Sequence, residues 1–235
     1  MTASCGAFVN GKPELFVEIL EEFFRKRPVR SVFDSNEANL QSVIEICWFE
    51  EGTCLPELCL VVNPAKTRGD GRFGFIDLFI ASSPESHAST VALIELKQVT
   101  LHGLCRALTA NANEEPSSAT MESLRKKLEK ETENKLLQRT FCYWDKSVKK
   151  WCKSSILNFK QAAVGQVNNY LRVAKNGAVR GAHGGILDKR IICEKGEDCL
   201  VGYVVIGIGG TRVLTWEVGR EQTQYSFRKA LIGAE

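Results

Sequence analysis

The chain has 235 residues, 44% hydrophobic and 25% charged, which is enough for one substantial α/β core, and we expect a single domain over residues 1–235. No stretch approaches the roughly 20 apolar residues that a membrane span needs, and residues 1–11 lack the order of a secretory signal, so we expect no membrane partner. The net charge is only +3, and the nine cysteines include no CxxC pair, so we expect reduced thiols in an intracellular protein of the nucleus or cytoplasm.

Two amphipathic helices are predicted before the first strand. The first covers residues 13–25, where apolar residues recur at helical spacing, and Pro28 ends it. The second covers residues 37–46, with a cap at Asp34 or Ser35. One face of this second helix carries three polar side chains, Glu37, Gln41 and Glu45.

Three strands follow, predicted over residues 57–62, 73–80 and 90–97, and the second and third carry charged residues inside apolar runs. Strand side chains alternate between faces, so Glu95 and Lys97 point the same way. The opposite face carries Ala92, Ile94 and Leu96 and can bury against a helix. Charge buried in an apolar strand costs several kcal/mol unless it is paired or bound to a metal. The strands therefore indicate a functional site, with three candidate groups: Asp77, Glu95 and Lys97.

A basic, aromatic-rich insertion is predicted over residues 111–155. It opens with a loop at 111–118, continues as a charged helix at 121–139 and ends in a hairpin at 143–151. Between Arg125 and Lys160, eleven Lys or Arg outnumber four acids. Basic side chains neutralise phosphates and flat rings stack on bases, so we predict a nucleic-acid surface here. Its members are Lys126, Lys127, Lys146, Lys149, Lys150, Lys153, Trp144 and Trp151. The alternative is a solvated helix followed by an aromatic hairpin packed on the core.

The insertion helix also carries a short apolar row that is typical of a coiled-coil seam: Met121, Leu124, Leu128, Leu136 and Leu137. Beyond the insertion, helical periodicity covers residues 156–173 and a long connection leads to an apolar strand at 200–208, suited to the middle of a sheet. A Gly209-Gly210 turn, a strand at 212–218 and a final helix near 221–231 complete the chain. The element order predicts a mixed α/β core.

Several of these residues together resemble the motifs of the PD-(D/E)XK nuclease superfamily. The segment 74–77 ends in Asp77, and after an 18-residue separation Glu95-Leu96-Lys97 follows. Phe75-Ile76-Asp77 departs from the literal Pro-Asp of the family name, but the chemistry requires only the aspartate. Glu37 resembles the acidic residue that many members carry before the sheet, and Gln166 with Tyr170 resembles the QxxxY element of the following helix.

The resemblance implies a restriction-endonuclease-like αβββαβ core, with a mixed central sheet flanked by helices and a helical insertion after the third core strand. It implies a nuclease that hydrolyses phosphodiester bonds with Mg²⁺ or Mn²⁺, acting on DNA rather than RNA. The metal ligands that it implies are Asp77, Glu95, the carbonyl of Leu96, and Glu37. Lys97 is expected to assist the attacking water, and Gln166 and Tyr170 to position phosphate or Lys97.

Two alternatives stay open. One is a catalytically inactive nuclease-fold module that binds DNA or a protein partner, as a homodimer paired through the insertion helix or a sheet edge. The other is a nuclease directed at RNA or at a particular structure, where single-strand preference would use Trp144 and Trp151 and duplex preference the lysines alone. The motif also resembles the nuclease-like domains of Crinkler-type effectors, which would place the protein in a host nucleus.

Overall fold

The computed structural model describes residues 9, 11–48, 54–81, 90–108 and 116–230. Its helices are α1 (Glu14–Arg25), α2 (Val29–Val32), α3 (Glu37–Trp48), α4 (Leu101–Leu108), α5 (Ser118–Lys130), α6 (Glu133–Gln138) and α7 (Ile156–Ala174). Its strands are β1 (Cys54–Val61), β2 (Phe73–Ile80), β3 (Thr90–Val99), β4 (Thr140–Asp145), β5 (Lys150–Ser155), β6 (Gly185–Ile186), β7 (Ile191–Lys195), β8 (Cys199–Ile208), β9 (Arg212–Gln222) and β10 (Tyr225–Lys229).

A six-stranded mixed sheet forms the centre of the fold, in the order β6-β1-β2-β3-β8-β9. Strands β1, β2 and β3 form an antiparallel meander, whereas β8 runs parallel to β3 and antiparallel to β9. The parallel pair requires a crossover, and α7 lies in the connection between these two strands. The prediction of a mixed α/β core is confirmed, and the apolar strand predicted at 200–208 does lie inside the sheet as β8.

Helices pack on both faces of this sheet. The side chains of Ala92, Ile94 and Leu96 on β3 share a core cluster with α1 and α3, whereas Leu93 belongs to the cluster that includes α7. This is the alternation that the strand period predicts. Both faces of β3 are therefore covered.

The two N-terminal helices are confirmed, but the predicted cap is wrong. The side chain of Asn36 caps α3 by accepting a hydrogen bond from the backbone N–H of Asn39 at 3.0 Å. Asp34 instead contacts the ring of His102 at 2.9 Å, and Ser35 is buried. A short asparagine, one residue closer to the helix, supplies the acceptor that the first turn needs.

The insertion differs from the prediction in three ways. The single helix expected at 121–139 is two helices, α5 and α6, because Glu131 and Thr132 are extended, and Arg139 folds back onto the carboxylate of Glu131. The short helix α4 precedes them and was not predicted, while residues 111–115 of the loop predicted at 111–118 lie outside the described residues. The coiled-coil prediction is wrong because the apolar row packs into the protein's own core, through Met121, Leu124, Leu128 and Leu136.

The final helix predicted near 221–231 is also wrong where the structure describes it. Strand β9 continues to Gln222, and β10 pairs with β7, which lies in the segment predicted as a long connection. Phe227 on β10 is fully buried and contacts the ring of Phe79 edge-on, with 6.0 Å between centroids. The two-residue alternation around Phe227 fits a strand, and tertiary packing selects that conformation.

Of the helices within the described residues, none combines the length and the apolar composition that crossing a membrane would require.

Candidate active site

The candidate site lies where the pairing between β2 and β3 stops. Their ladder joins Ile80 to Ala92 and ends at Leu78 and Ile94, although each strand stays paired with its other neighbour beyond that point. In the opening, a carboxylate oxygen of Asp77 accepts a hydrogen bond from the backbone N–H of Leu96 at 2.6 Å. A side chain thus takes the position of a ladder acceptor, and a polar gap opens inside an otherwise apolar sheet.

Lys97 brings the predicted charged residues together in this gap. Its ammonium nitrogen lies 2.6 Å from Oε1 of Glu95, 2.8 Å from the carbonyl oxygen of Leu96 and 3.3 Å from Oε2 of Glu37. The side chain of Glu95 is 1% exposed, that of Lys97 16% and that of Glu37 42%. The ammonium therefore links a fully buried carboxylate to one at the protein surface.

Burial governs the protonation of the two inner carboxylates. It raises the pKa of Asp77 to about 6, against the opposing effects of the Leu96 N–H and of Lys97. It raises the pKa of Glu95 to about 8, again opposed by Lys97. For Lys97, burial lowers the pKa, but Glu95 and Glu37 outweigh it and the pKa lies above the ordinary lysine value. Two carboxylates with raised pKa beside a charged lysine are typical of a functional site.

One oxygen of Glu95 is unsatisfied. Its Oε2 atom is buried and meets no hydrogen-bond donor among the residues that the structure describes, while Oε1 contacts Lys97. A buried polar atom in this state costs free energy unless a ligand supplies a partner. This atom is the strongest local indication that the site takes up a cation or a donor group.

Tyr170 closes the side of the site that faces α7. Gln166 donates a hydrogen bond to the Tyr170 hydroxyl at 2.8 Å, so the two predicted residues act as a pair. Burial raises the pKa of Tyr170 against the opposing hydrogen bond from Gln166, and the nearby carboxylates of Glu95 and Asp77 raise it further. A Cβ at Gly74 would lie 2.7 Å from the Tyr170 ring, so the ring packs directly on the β2 backbone.

Two contributors were given no role in the sequence analysis. Gln41 donates a hydrogen bond to the backbone carbonyl of Asp77 at 3.3 Å, one helical turn from Glu37. The i, i+4 spacing of these two residues is the signal that could have identified it. Gly74 provides the space for Tyr170, and a glycine inside an apolar strand is itself a sign of close approach.

The oxygens of the site suit the predicted metal only in part. In the described part of the chain, no group of three or more His, Cys, Asp or Glu side chains is placed to hold an ion. Asp77 and Glu95 nonetheless offer hard oxygens, and Mg²⁺ is commonly bound by one or two carboxylates with water and substrate phosphate completing its shell. The unsatisfied Oε2 of Glu95 fits that role. The other two predicted ligands, the Leu96 carbonyl and Glu37, contact the Lys97 ammonium.

The predicted nucleic-acid surface is divided between two elements. Lys126 and Lys127 lie on α5, whereas the β4–β5 hairpin and its turn carry the remaining members, all of them exposed: Lys146, Lys149, Lys150, Lys153, Trp144 and Trp151. Arg125, counted in the basic segment, is buried and donates to backbone carbonyls of Phe24 and Arg27. The prediction of a hairpin is confirmed. Its aromatic residues were expected either at an exposed surface or packed on the core, and both tryptophans are exposed.

Comparisons with protein-family models, with curated proteins and with solved structures give no match to this chain. The chemistry of the site is accordingly defined by its own side chains. A charged lysine beside one buried and one half-buried carboxylate can stabilise an anionic oxygen, and the carboxylates can hold a hard cation.

Proposed function

We propose that this chain is a metal-dependent nuclease that hydrolyses phosphodiester bonds, with DNA as the favoured substrate. The observation that carries the proposal is the Lys97 ammonium held 2.6 Å from Glu95, on the strand whose Leu96 N–H binds the Asp77 carboxylate. Three ionisable groups thus converge at one opening in an apolar sheet. Phosphoryl transfer depends on positioning and electrostatic stabilisation, which is what such a cluster provides.

The architecture supports a restriction-endonuclease-like assignment of the fold. Helix α3, strands β1 to β3, helix α7 and strand β8 follow in the αβββαβ order, with β8 parallel to β3. Within that order, the acids lie on the second and third core strands and Glu37 on the preceding helix. The PD-(D/E)XK assignment therefore rests on the agreement between motif positions and core topology.

Asp77 and Glu95 are the residues that would hold Mg²⁺ or Mn²⁺. When bound, the ion would supply Lewis acidity toward a phosphoryl oxygen and activation of a water molecule. Lys97 would place a fixed positive charge where negative charge develops on the phosphoryl group, and its burial strengthens that interaction. Glu37 and Glu95 hold the ammonium in position, and the Gln166–Tyr170 pair would position the substrate phosphate or Lys97.

A second candidate is favoured by one specific observation. The Lys97 ammonium contacts the Leu96 carbonyl and Glu37, so these two oxygens are engaged without a metal. A nuclease-fold module that has no catalytic activity and binds DNA or a protein partner would keep the same network for stability alone. The two candidate functions differ in whether the protein cleaves nucleic acid.

The test is a cleavage assay on plasmid, linear duplex, single-stranded DNA and RNA, each with Mg²⁺, Mn²⁺ or EDTA. Asp77→Asn and Lys97→Met are compared with matched surface variants, Glu18→Gln on α1 and Lys189→Met before β7, both at exposed positions. We expect metal-dependent cleavage in the wild type and both controls, and its loss in the two site variants. Folded wild-type protein that cuts none of these substrates would favour the inactive module.

A further inference from the structure

Two tryptophans face each other across the β4–β5 hairpin. Trp144 and Trp151 are directly paired in its register, with ring centroids 5.8 Å apart and an angle of 74° between the rings. Their residues are 50% and 41% exposed, although large rings are normally buried. Such exposure of two adjacent rings indicates a surface that contacts something other than water.

The hairpin is fixed to the body of the protein. The backbone of β4 packs so closely on α4 that a Cβ at Gly103 would lie 2.3 Å from the carbonyl oxygen of Cys142. The guanidinium of Arg106, also on α4, lies 3.9 Å from the centroid of the Trp151 ring. A cation over one ring face holds Trp151 in place. The tryptophan pair is therefore a preorganised platform, and ordering it adds little entropic cost to binding.

Further rings connect this platform to the proposed active site. The His102 ring lies 5.9 Å from Trp151 and stacks on Phe33, with 4.9 Å between centroids and 18° between planes. The backbone carbonyl of Phe33 also accepts a hydrogen bond from the His102 N–H. Phe33 precedes Glu37, whose carboxylate contacts Lys97, by four residues. A row of rings thus leads from the hairpin to the helix end that borders the site.

The charge around the platform indicates its occupant. Four exposed lysines lie on the hairpin and its turn: Lys146, Lys149, Lys150 and Lys153. Positive side chains beside flat rings are complementary to a phosphate backbone carrying unpaired bases. In a duplex, the base faces are covered by neighbouring pairs, so exposed rings contribute little to binding there.

We propose that the hairpin binds single-stranded nucleic acid by stacking unpaired bases on Trp144 and Trp151 and leads the strand toward the Lys97 site. This deepens the proposed function and rests on it, because it names single-stranded nucleic acid as the substrate class. DNA and RNA strands share the chemistry that the platform recognises.

The experiment measures binding in EDTA, where metal-dependent cleavage is absent. Fluorescence anisotropy is recorded with labelled oligothymidylate, oligouridylate and a blunt duplex, each of about 20 nucleotides or base pairs, which exceeds the roughly 4 to 16 nucleotides of a compact single-strand site. The variants are Trp144→Ala and Trp144→Phe. The matched control is Ile192→Ala, which truncates an exposed apolar residue on β7, and circular dichroism verifies the fold of each protein.

We expect Trp144→Ala to weaken oligothymidylate or oligouridylate binding about tenfold or more, because stacking on one ring contributes on that scale. Trp144→Phe should retain most of the affinity, and Ile192→Ala all of it, while duplex binding should change less than about twofold in every variant. A preference for one of the two single strands ranks them as ligands and supports the proposal equally. Unchanged single-strand affinity in Trp144→Ala, or a wild type that prefers duplex, overturns it.

Failure of this inference and failure of the proposed nuclease give different results. Cleavage that Asp77→Asn abolishes, together with single-strand binding indifferent to Trp144→Ala, would overturn the platform alone. Binding that depends on Trp144 in a protein that cuts no substrate would overturn the nuclease and leave the platform in place.

Discussion

Asp77 accepts a hydrogen bond from the backbone N–H of Leu96 at 2.6 Å and so joins β2 to β3 just beyond the end of their ladder. The carboxylate stabilises the opened sheet while remaining one of the two acids proposed to hold a cation. Burial opposes its charge and the hydrogen bond favours it, with a pKa of about 6 as the outcome. Structural and chemical roles are therefore combined in one side chain, and substitutions can separate them.

Asp77→Asn and Asp77→Ala are expected to differ in stability but to agree in activity. The asparagine oxygen can still accept a hydrogen bond from the Leu96 N–H. The free energy of unfolding of Asp77→Asn should therefore stay within about 1 kcal/mol of the wild-type value. Alanine leaves that buried N–H without an acceptor and should cost about 1–3 kcal/mol. Both should lose at least about 100-fold in cleavage, the scale expected for loss of a key electrostatic group. Urea denaturation and plasmid nicking measure the two effects; an active Asp77→Asn variant would contradict the assignment.

Lys97→Met should separate metal binding from cleavage. Removing the ammonium removes a positive charge beside Glu95, so we expect Mn²⁺ to bind at least as tightly as in wild type, as measured by isothermal titration calorimetry. Cleavage should nevertheless fall about 100- to 1,000-fold, because the charge that stabilises the phosphoryl group is gone. Lys189→Met, an exposed control, should leave both measurements unchanged. Cleavage at the wild-type rate in Lys97→Met would remove that residue from the mechanism.

Stability without metal should fall as pH rises, because of Glu95. Its pKa is raised from 4.5 to about 8 in the folded protein, mainly by burial. The contribution of the protonated carboxyl is fully present below about pH 4.5, diminishes once the unfolded chain ionises, and is lost as pH passes about 8. Glu95→Gln has no ionisable group at this position. Across this pH range, its free energy of unfolding should therefore change less than that of the wild type, and the difference should exceed about 1 kcal/mol. Urea denaturation in EDTA between about pH 5 and pH 9 measures the difference; parallel profiles would contradict the raised pKa.

The locations of the site residues could largely be predicted from the sequence, because strand period and motif spacing are local properties. The side-chain alternation of β3 puts Glu95 and Lys97 together, and their 2.6 Å contact follows from that. The contact between Glu37 and Lys97 spans 60 residues and was not predicted; the resemblance indicated only that Glu37 belongs to the site. The end of the β2–β3 ladder could not be predicted at all, because it depends on how three strands and α7 pack together.

The errors in the fold have a shared physical origin. Strand β10 lies in a segment that also suits a helix, and burial of Phe227 against Phe79 selects the strand. Leu124 and Leu128 have the spacing of a coiled-coil seam, yet an intramolecular core satisfies that spacing equally well. Periodicity identifies the apolar face of an element, but the partner of that face is decided by the rest of the chain.

Gly74→Ala should disturb the site through Tyr170. The new methyl group would lie 2.7 Å from the Tyr170 ring and 2.7 Å from Val62, so at least one side chain must move. Overpacking of this kind costs about 1–3 kcal/mol of unfolding free energy. Combining it with Tyr170→Leu should recover part of that cost, giving a double-mutant coupling above about 0.5 kcal/mol. Strictly additive effects on urea denaturation would mean that the Tyr170 ring does not limit the space above Gly74.

Arg125→Met should destabilise the protein much more than the neighbouring Lys126→Met. Arg125 is buried and donates from its guanidinium to the carbonyl of Phe24 and, at 2.8 Å, to that of Arg27, both at the end of α1. Helix ends leave carbonyls that need such donors, and hydrogen bonds from charged groups contribute about 1.5–3 kcal/mol each. We therefore expect a loss of about 2–4 kcal/mol for Arg125→Met, against less than about 0.5 kcal/mol for the exposed lysine. Equal unfolding free energies would show that the Arg125 hydrogen bonds contribute little to stability, whereas a large difference would assign Arg125 to the link between α5 and α1.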